Sequence, residues 1–102
     1  MLQRKPSSPG EILREEFLKP LQLTQRELAE HLNCEVKAIN RLVNERSAVT
    51  VELALKLAAT FQTTPDFWLN AQRALDLYRV SKTMKQLPRP LLRKKIVGTR
   101  AA

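Results

Sequence analysis

The chain has 102 residues, 43% of them hydrophobic and 27% charged, with a formal net charge of +8. That length holds one small domain rather than two. No apolar run approaches the roughly 18 residues that a membrane span needs, the opening MLQRKPSSPGEIL lacks the apolar core of a signal peptide, and a single cysteine and a single histidine exclude a disulfide framework and a zinc-ligand cluster. The expected location is the cytoplasm, with no membrane partner and no cofactor.

In chain order, residues 1–7 form an N-terminal arm. Ser8-Pro9-Gly10-Glu11 then has the form of a capping box with proline at the first helical position, which predicts a helix running through Ile12, Leu13, Phe17 and Leu18. Pro20 is expected to stop it and to free Leu21 and Leu23 to turn inward. Thr24, with Glu27 three residues on, starts a second helix. Asn33 falls where a sharp turn with positive φ is expected, a conformation asparagine tolerates. A third helix follows, then a turn at Asn44-Glu45-Arg46-Ser47. Thr50 caps a fourth helix whose Leu53, Ala54, Leu57, Ala58 and Phe61 keep a helical period. Thr64-Pro65-Asp66 repeats the start signal, and the last helix is predicted from Pro65 to Tyr78 or Val80. With two glycines in the chain and no alternating β-branched run, the economical reading is all-α: five short helices over residues 8–80. Beyond Ser81, Pro88, Pro90 and the lost periodicity predict a flexible tail over residues 81–102, with a short extended segment at residues 91–97 left open.

The stretch Thr24 to Asn44, TQRELAEHLNCEVKAINRLVN, has the spacing of a DNA-reading helix-turn-helix. Ala29 is the small residue a first helix needs where a second crosses it closely. Cys34, Ile39 and Leu42 supply the buried side of the second helix, and Cys34 reads as a small core hydrophobe, with a redox role the open alternative. Glu35, Val36, Lys37, Asn40, Arg41 and Asn44 point elsewhere, and in this geometry the outward face of the second helix enters the major groove. A lysine there can donate to guanine, an asparagine can pair with adenine, and a valine can meet a thymine methyl. Gln25, with Arg26 beside it, stands at a helix N-terminus whose free amides favour a phosphate.

Charge is unevenly spread. Residues 1–80 carry eleven Lys and Arg against ten Asp and Glu, whereas residues 81–102 carry seven basic residues and no acid. Such a run reads either as a solvated end or as an arm adding sequence-independent phosphate affinity.

Taken together, these residues resemble the Xre helix-turn-helix family, whose fold is that of lambda repressor, and more closely its HigA/VapI-type addiction-module antitoxins. The likeness covers residues 8–77 and rests on PGEILREEFLKPL at 9–21, TQRELAEHLN at 24–33, INRLVN at 39–44 and TTPDFWLNAQ at 63–72. It implies a small all-α repressor that dimerises, binds double-stranded operator DNA in its own promoter and neutralises a RelE-like mRNA endonuclease toxin. By that likeness Gln25 would hold a phosphate, Val36, Lys37 and Asn40 would face base edges, Arg41 and Asn44 would lie at the groove margin, and Arg46 and Ser47 would meet backbone. The loop after the recognition helix commonly reads Asn-Gly-Lys-Arg in the family, and here it is Asn-Glu-Arg-Ser.

Phe67, Trp68 and Leu69 cannot all face one side of a helix. Trp68 and Leu69, with Leu75 and Tyr78, are therefore assigned to a homodimer interface that would let two copies read a two-fold operator. Two other functions stay open: a stand-alone regulator without a toxin, and a protein-interaction module without specific DNA binding. Catalysis has no support, since His31 has no nucleophile or carboxylate pattern beside it and there is no Gly-rich phosphate loop.

Overall fold

The structure, a computed structural model, describes residues 4–92. Among them are five helices and no strand. The first, α1, covers residues 9–21 in three end-to-end segments: an α-helical turn at Pro9–Ile12, a π-helical stretch at Leu13–Leu18 and a last turn at Lys19–Leu21. It is followed by α2 (Gln25–Leu32), α3 (Val36–Val43), α4 (Val51–Phe61) and α5 (Pro65–Thr83).

Each start signal acts as side-chain chemistry requires. Ser8, Thr24, Thr50 and Thr64 lie in extended conformation and accept from the backbone N–H three residues on, satisfying one of the free amides of each new helix. At Thr24 the box is complete, because Glu27 reaches back to the Thr24 N–H at 2.9 Å. The stops are less regular. Pro20 does not end α1; the helix runs on to Leu21 and closes at Gln22, which is left-handed with φ 54°. The wider π register just before Pro20 accounts for this, since a proline ring collides with the carbonyl four residues back only when the turn is α-helical. Leu21 stays 58% exposed rather than turning inward, while Leu23 is half-buried and donates its N–H to the Leu18 carbonyl.

The core gathers Leu13 and Leu18 from α1, Leu28 and Leu32 from α2, Ile39 and Leu42 from α3, Leu57 from α4 and Trp68 from α5. Two features seat the helices closely. Gly10 lets α1 touch the backbone of α3: a Cβ there would meet the Leu42 carbonyl carbon at 2.6 Å and the Val43 Cα at 2.8 Å. Gln72, buried on α5, accepts from the Val49 N–H at 3.0 Å and donates to Asp76 at 3.0 Å, fixing the segment between α3 and α4.

Trp68 and Leu75, expected at a dimer interface, belong to the interior of the single chain. They are 0% and 2% exposed, and the Trp68 indole donates to Thr63 Oγ1 at 2.8 Å. Phe17 stands between the rings of Phe61 and Trp68, with centroids 4.6 and 5.5 Å away, so the tryptophan closes an aromatic cluster spanning three helices. No surface of either residue is left for a partner. Leu69 and Tyr78 are half-buried.

The last helix also crosses the boundary expected at residue 80. Ser81 and Thr83 hydroxyls donate to the carbonyls of Tyr78 and Val80, and the Lys82 ammonium lies 5.3 Å from the Tyr78 ring centroid. Pro88 is too far along to interfere. The tail continues without helix or strand from Met84 to Leu92; the remainder of the expected flexible tail, and with it most of the 91–97 segment, lies outside the described residues.

Candidate nucleic-acid interface

The two helices of the motif meet through a turn whose conformation follows from Asn33. With φ 58° it ends α2, and Cys34 N–H then reaches back to the Ala29 carbonyl at 2.9 Å. Ala29 is 2% exposed, the close crossing its size anticipated. Cys34 is half-buried against the core, in the turn rather than on α3.

Helix α3 divides cleanly. Ile39, Leu42 and Val43 are buried, whereas Val36, Lys37, Asn40 and Arg41 are exposed. At about 100° per residue these four, with Asn44, occupy an arc of roughly 140° on one side. Glu35 is the N-cap but makes no side-chain cap bond, so its carboxylate stands at the exposed entrance of the helix. Asn44 caps the other end and turns its amide back onto the Asn40 carbonyl at 3.0 Å.

Gln25, half-buried in the first turn of α2, accepts from the Asn40 amide at 3.3 Å. The residue expected to hold a phosphate and one expected to read a base are thus neighbours across the two helices. Arg26 is exposed on α2 next to Gln25, and Arg46 and Ser47 are exposed in the loop after α3. The Arg46 N–H donates to the Arg41 carbonyl at 2.8 Å, which closes the loop against the helix end. The ten residues expected to face DNA therefore lie on α2, α3 and the two turns that bracket α3, whereas the four expected at a dimer interface all lie on α5.

Sequence reasoning missed Glu45. It has φ 60°, a left-handed conformation unusual for glutamate, in the loop position where the resembled family commonly has glycine. Its Oε1 takes Lys5 Nζ at 3.0 Å and Arg79 Nη2 at 2.8 Å. The Lys5 hydrogen bond does most to hold the Glu45 carboxyl below the ordinary carboxylate range, against the opposing effect of burial, with Ser8 and Arg79 adding to the lowering. Two cations thus flank this one carboxylate. The glycine missing from the loop is the only sign of it in the sequence.

Among the described residues there is no group of histidine, cysteine and carboxylate side chains able to hold a metal ion, and no helix long and apolar enough to cross a membrane.

The helix-turn-helix family model matches residues 15–68, more than half of the chain. This chain belongs to the helix-turn-helix family. Among relatives of this helix-turn-helix protein, a helix-turn-helix-type transcriptional regulator of Haemophilus influenzae is 50% identical over 78 residues, covering 76% of this chain and 73% of that protein. Antitoxin HigA-1 of Vibrio cholerae is 42% identical over 76 residues, covering 74% and 71%. Among solved structures, Pseudomonas aeruginosa antitoxin HigA with the higBA promoter superimposes with a TM-score of 0.79 at 32% identity, over 85% of this chain and 99% of that one. The all-α helix-turn-helix fold and the likeness to HigA antitoxins, expected from the motifs, both stand, and the family is a non-enzymatic one of DNA-binding regulators and antitoxins.

Proposed function

We propose that this helix-turn-helix protein is an antitoxin and autorepressor of the cytoplasm, binding operator DNA upstream of its own gene through α3 and masking a toxin through another surface. The observation that carries the DNA reading is the exposed arc of Val36, Lys37, Asn40, Arg41 and Asn44, with Gln25 bonded to Asn40 at 3.3 Å. In this reading Lys37 and Asn40 meet base edges, Val36 meets a thymine methyl, Glu35 accepts from a cytosine amine, and Gln25, Arg26, Arg41, Arg46 and Ser47 hold the backbone. The antitoxin HigA structure with its promoter supports that docking.

Two copies arranged about a two-fold axis would present two recognition helices to half-sites about 34 Å apart. Leu69 remains assigned to that interface, joined by Leu77 and Val80, which are 58% and 52% exposed and fall within about 80° of it on the same helix, whereas Tyr78 lies about 180° from Leu69. The toxin is proposed to be a RelE-like mRNA endonuclease. Such enzymes are basic because their substrate is polyanionic, so the +8 charge of this chain opposes the encounter. The contact would therefore use acidic residues of α1, Glu11 and Glu16 above all, since Glu15 is already paired with Arg14 at 2.8 Å and Lys19 at 3.0 Å. The naming of the Haemophilus influenzae relative favours a second reading, a stand-alone regulator without a toxin.

Fluorescence anisotropy against the duplex upstream of the gene and a scrambled duplex, at about 50 and 200 mM salt, tests the DNA reading. A preference of about a thousandfold for the native duplex is expected, weakened by Lys37→Ala and by Asn40→Ala. Unchanged preference in both variants would remove α3 as the reading helix. Co-purification with the product of the adjacent gene separates antitoxin from stand-alone regulator.

A further inference from the structure

Two segments far apart in sequence meet the loop that follows the recognition helix. Lys5 belongs to the N-terminal arm and Arg79 to α5, and each binds Glu45, the residue after the α3 cap Asn44. Asp76 lines the same cleft as Glu45 and Arg79, so at this junction Lys5, Arg79 and Arg46 face two carboxylates, next to Ser47. From Arg79, α5 continues only to Thr83, a rise of about 6 Å. Residues 84–92 then follow without helix or strand, and nine residues of such chain can span up to about 30 Å. Lys82, Lys85 and Arg89 are all exposed along this path, and no Asp or Glu occurs after Asp76.

We propose that Lys82, Lys85 and Arg89 form a second DNA contact, independent of sequence: an arm that leaves the protein beside the α3–α4 loop and lies along the phosphates flanking the half-site. It rests on the DNA reading of α3 and adds to it a ligand site that the helix-turn-helix itself does not contain. The reach of the arm is comparable to the 34 Å of one duplex turn, so three cations can meet phosphates beyond those that Gln25, Arg26 and Arg46 would hold. An acidic protein could attract the same charges, but the arm begins next to the loop assigned to DNA backbone, and that continuity favours the duplex.

The test is the triple variant Lys82→Gln, Lys85→Gln, Arg89→Gln, whose sites lie beyond Leu75, the last buried residue of the described chain; its melting temperature is measured alongside. Two native duplexes are compared by anisotropy between about 50 and 200 mM salt, one trimmed to the half-sites and one extended by about one turn on each side. The wild type is expected to bind the extended duplex more tightly, and the variant to lose that gain while keeping its preference over scrambled DNA. Three lost phosphate contacts make the slope of log K against log salt shallower by up to about 2.7 per protomer. Over that salt range the wild type then loses up to about 40-fold more affinity than the variant for each protomer bound. Wild-type slope and length dependence in the variant would overturn the arm. If instead the wild type bound native and scrambled duplexes equally, with the steeper slope and length gain still lost in the variant, the arm would stand and the sequence-reading role of α3 would fall.

Discussion

Replacing Gly10 by alanine adds one methyl group at the contact between α1 and the recognition helix. The added carbon would lie 2.6 Å from the Leu42 carbonyl carbon and 2.8 Å from the Val43 Cα, and closer still to the Leu42 carbonyl oxygen. Ordinary carbon contacts are about 3.5–4.0 Å, so α1 and α3 must separate by roughly 1 Å, and a gap of that size forfeits a quarter to a half of the dispersion attraction along the seam. Overpacking typically costs about 1–3 kcal/mol, and this site belongs at the upper end because the obstacle is backbone, which has no other rotamer to adopt. The better helix propensity of alanine returns at most about 1 kcal/mol. The net loss is about 2 kcal/mol, a fall in melting temperature on the order of 10 °C for a domain of this size. Thermal unfolding followed by far-UV circular dichroism measures it, and operator affinity should fall as well because α3 carries the reading residues. A melting temperature within about 3 °C of wild type would refute the close seating of α1 on α3.

Gln72→Leu should cost about 1–3 kcal/mol in urea unfolding, because the Val49 N–H is left buried without its acceptor; an unchanged midpoint would mean that another group satisfies that amide. Trp68→Ala should cost about 3–5 kcal/mol whatever the protein concentration, whereas Leu77→Ala and Val80→Ala should leave monomer stability within about 0.5 kcal/mol and weaken self-association in sedimentation. The reverse pattern would return Trp68 to the interface. Glu45 has its carboxyl lowered in the folded state, so its stabilisation is present above the ordinary glutamate pKa of about 4.3 and is lost as pH falls through the lowered value. Glu45→Gln should therefore be less stable than wild type by about 0.2–1 kcal/mol near neutrality, since both cationic partners are largely solvated, with the two proteins converging in acid; an equal gap at both pH values would rule out charge pairing as the source.

What the sequence made legible was local chemistry. The four caps follow from Ser8, Thr24, Thr50 and Thr64, the left-handed turn from Asn33, and the division of α3 into buried and exposed sides from the spacing of Ile39 and Leu42. Contacts between distant residues were not legible. Gly10 looked like part of a cap, and its close approach to Leu42 depends on how two helices cross. Trp68 in a run of three bulky residues gave no sign of which one the core would take; Phe17, packed on its ring and in turn on Phe61, decided it. Glu45 read as a turn residue because its partners lie 40 and 34 positions away. The stop expected at Pro20 failed for a different reason, since the rule assumes an α-helical turn and the chain supplies a wider one.

That wider turn also changes how α1 counts. A π register takes one residue more per hydrogen-bonded ring than an α register, so the first helix carries a surplus residue between its cap at Ser8 and its end at Gln22. The surplus brings Leu13 and Leu18, five positions apart, to the same buried side. Glu15 and Glu16 bulge toward solvent between them. Length at this point is thus tied to Pro20: with either glutamate removed, the turn would close into ordinary α geometry, and the proline ring would then meet the carbonyl four residues back.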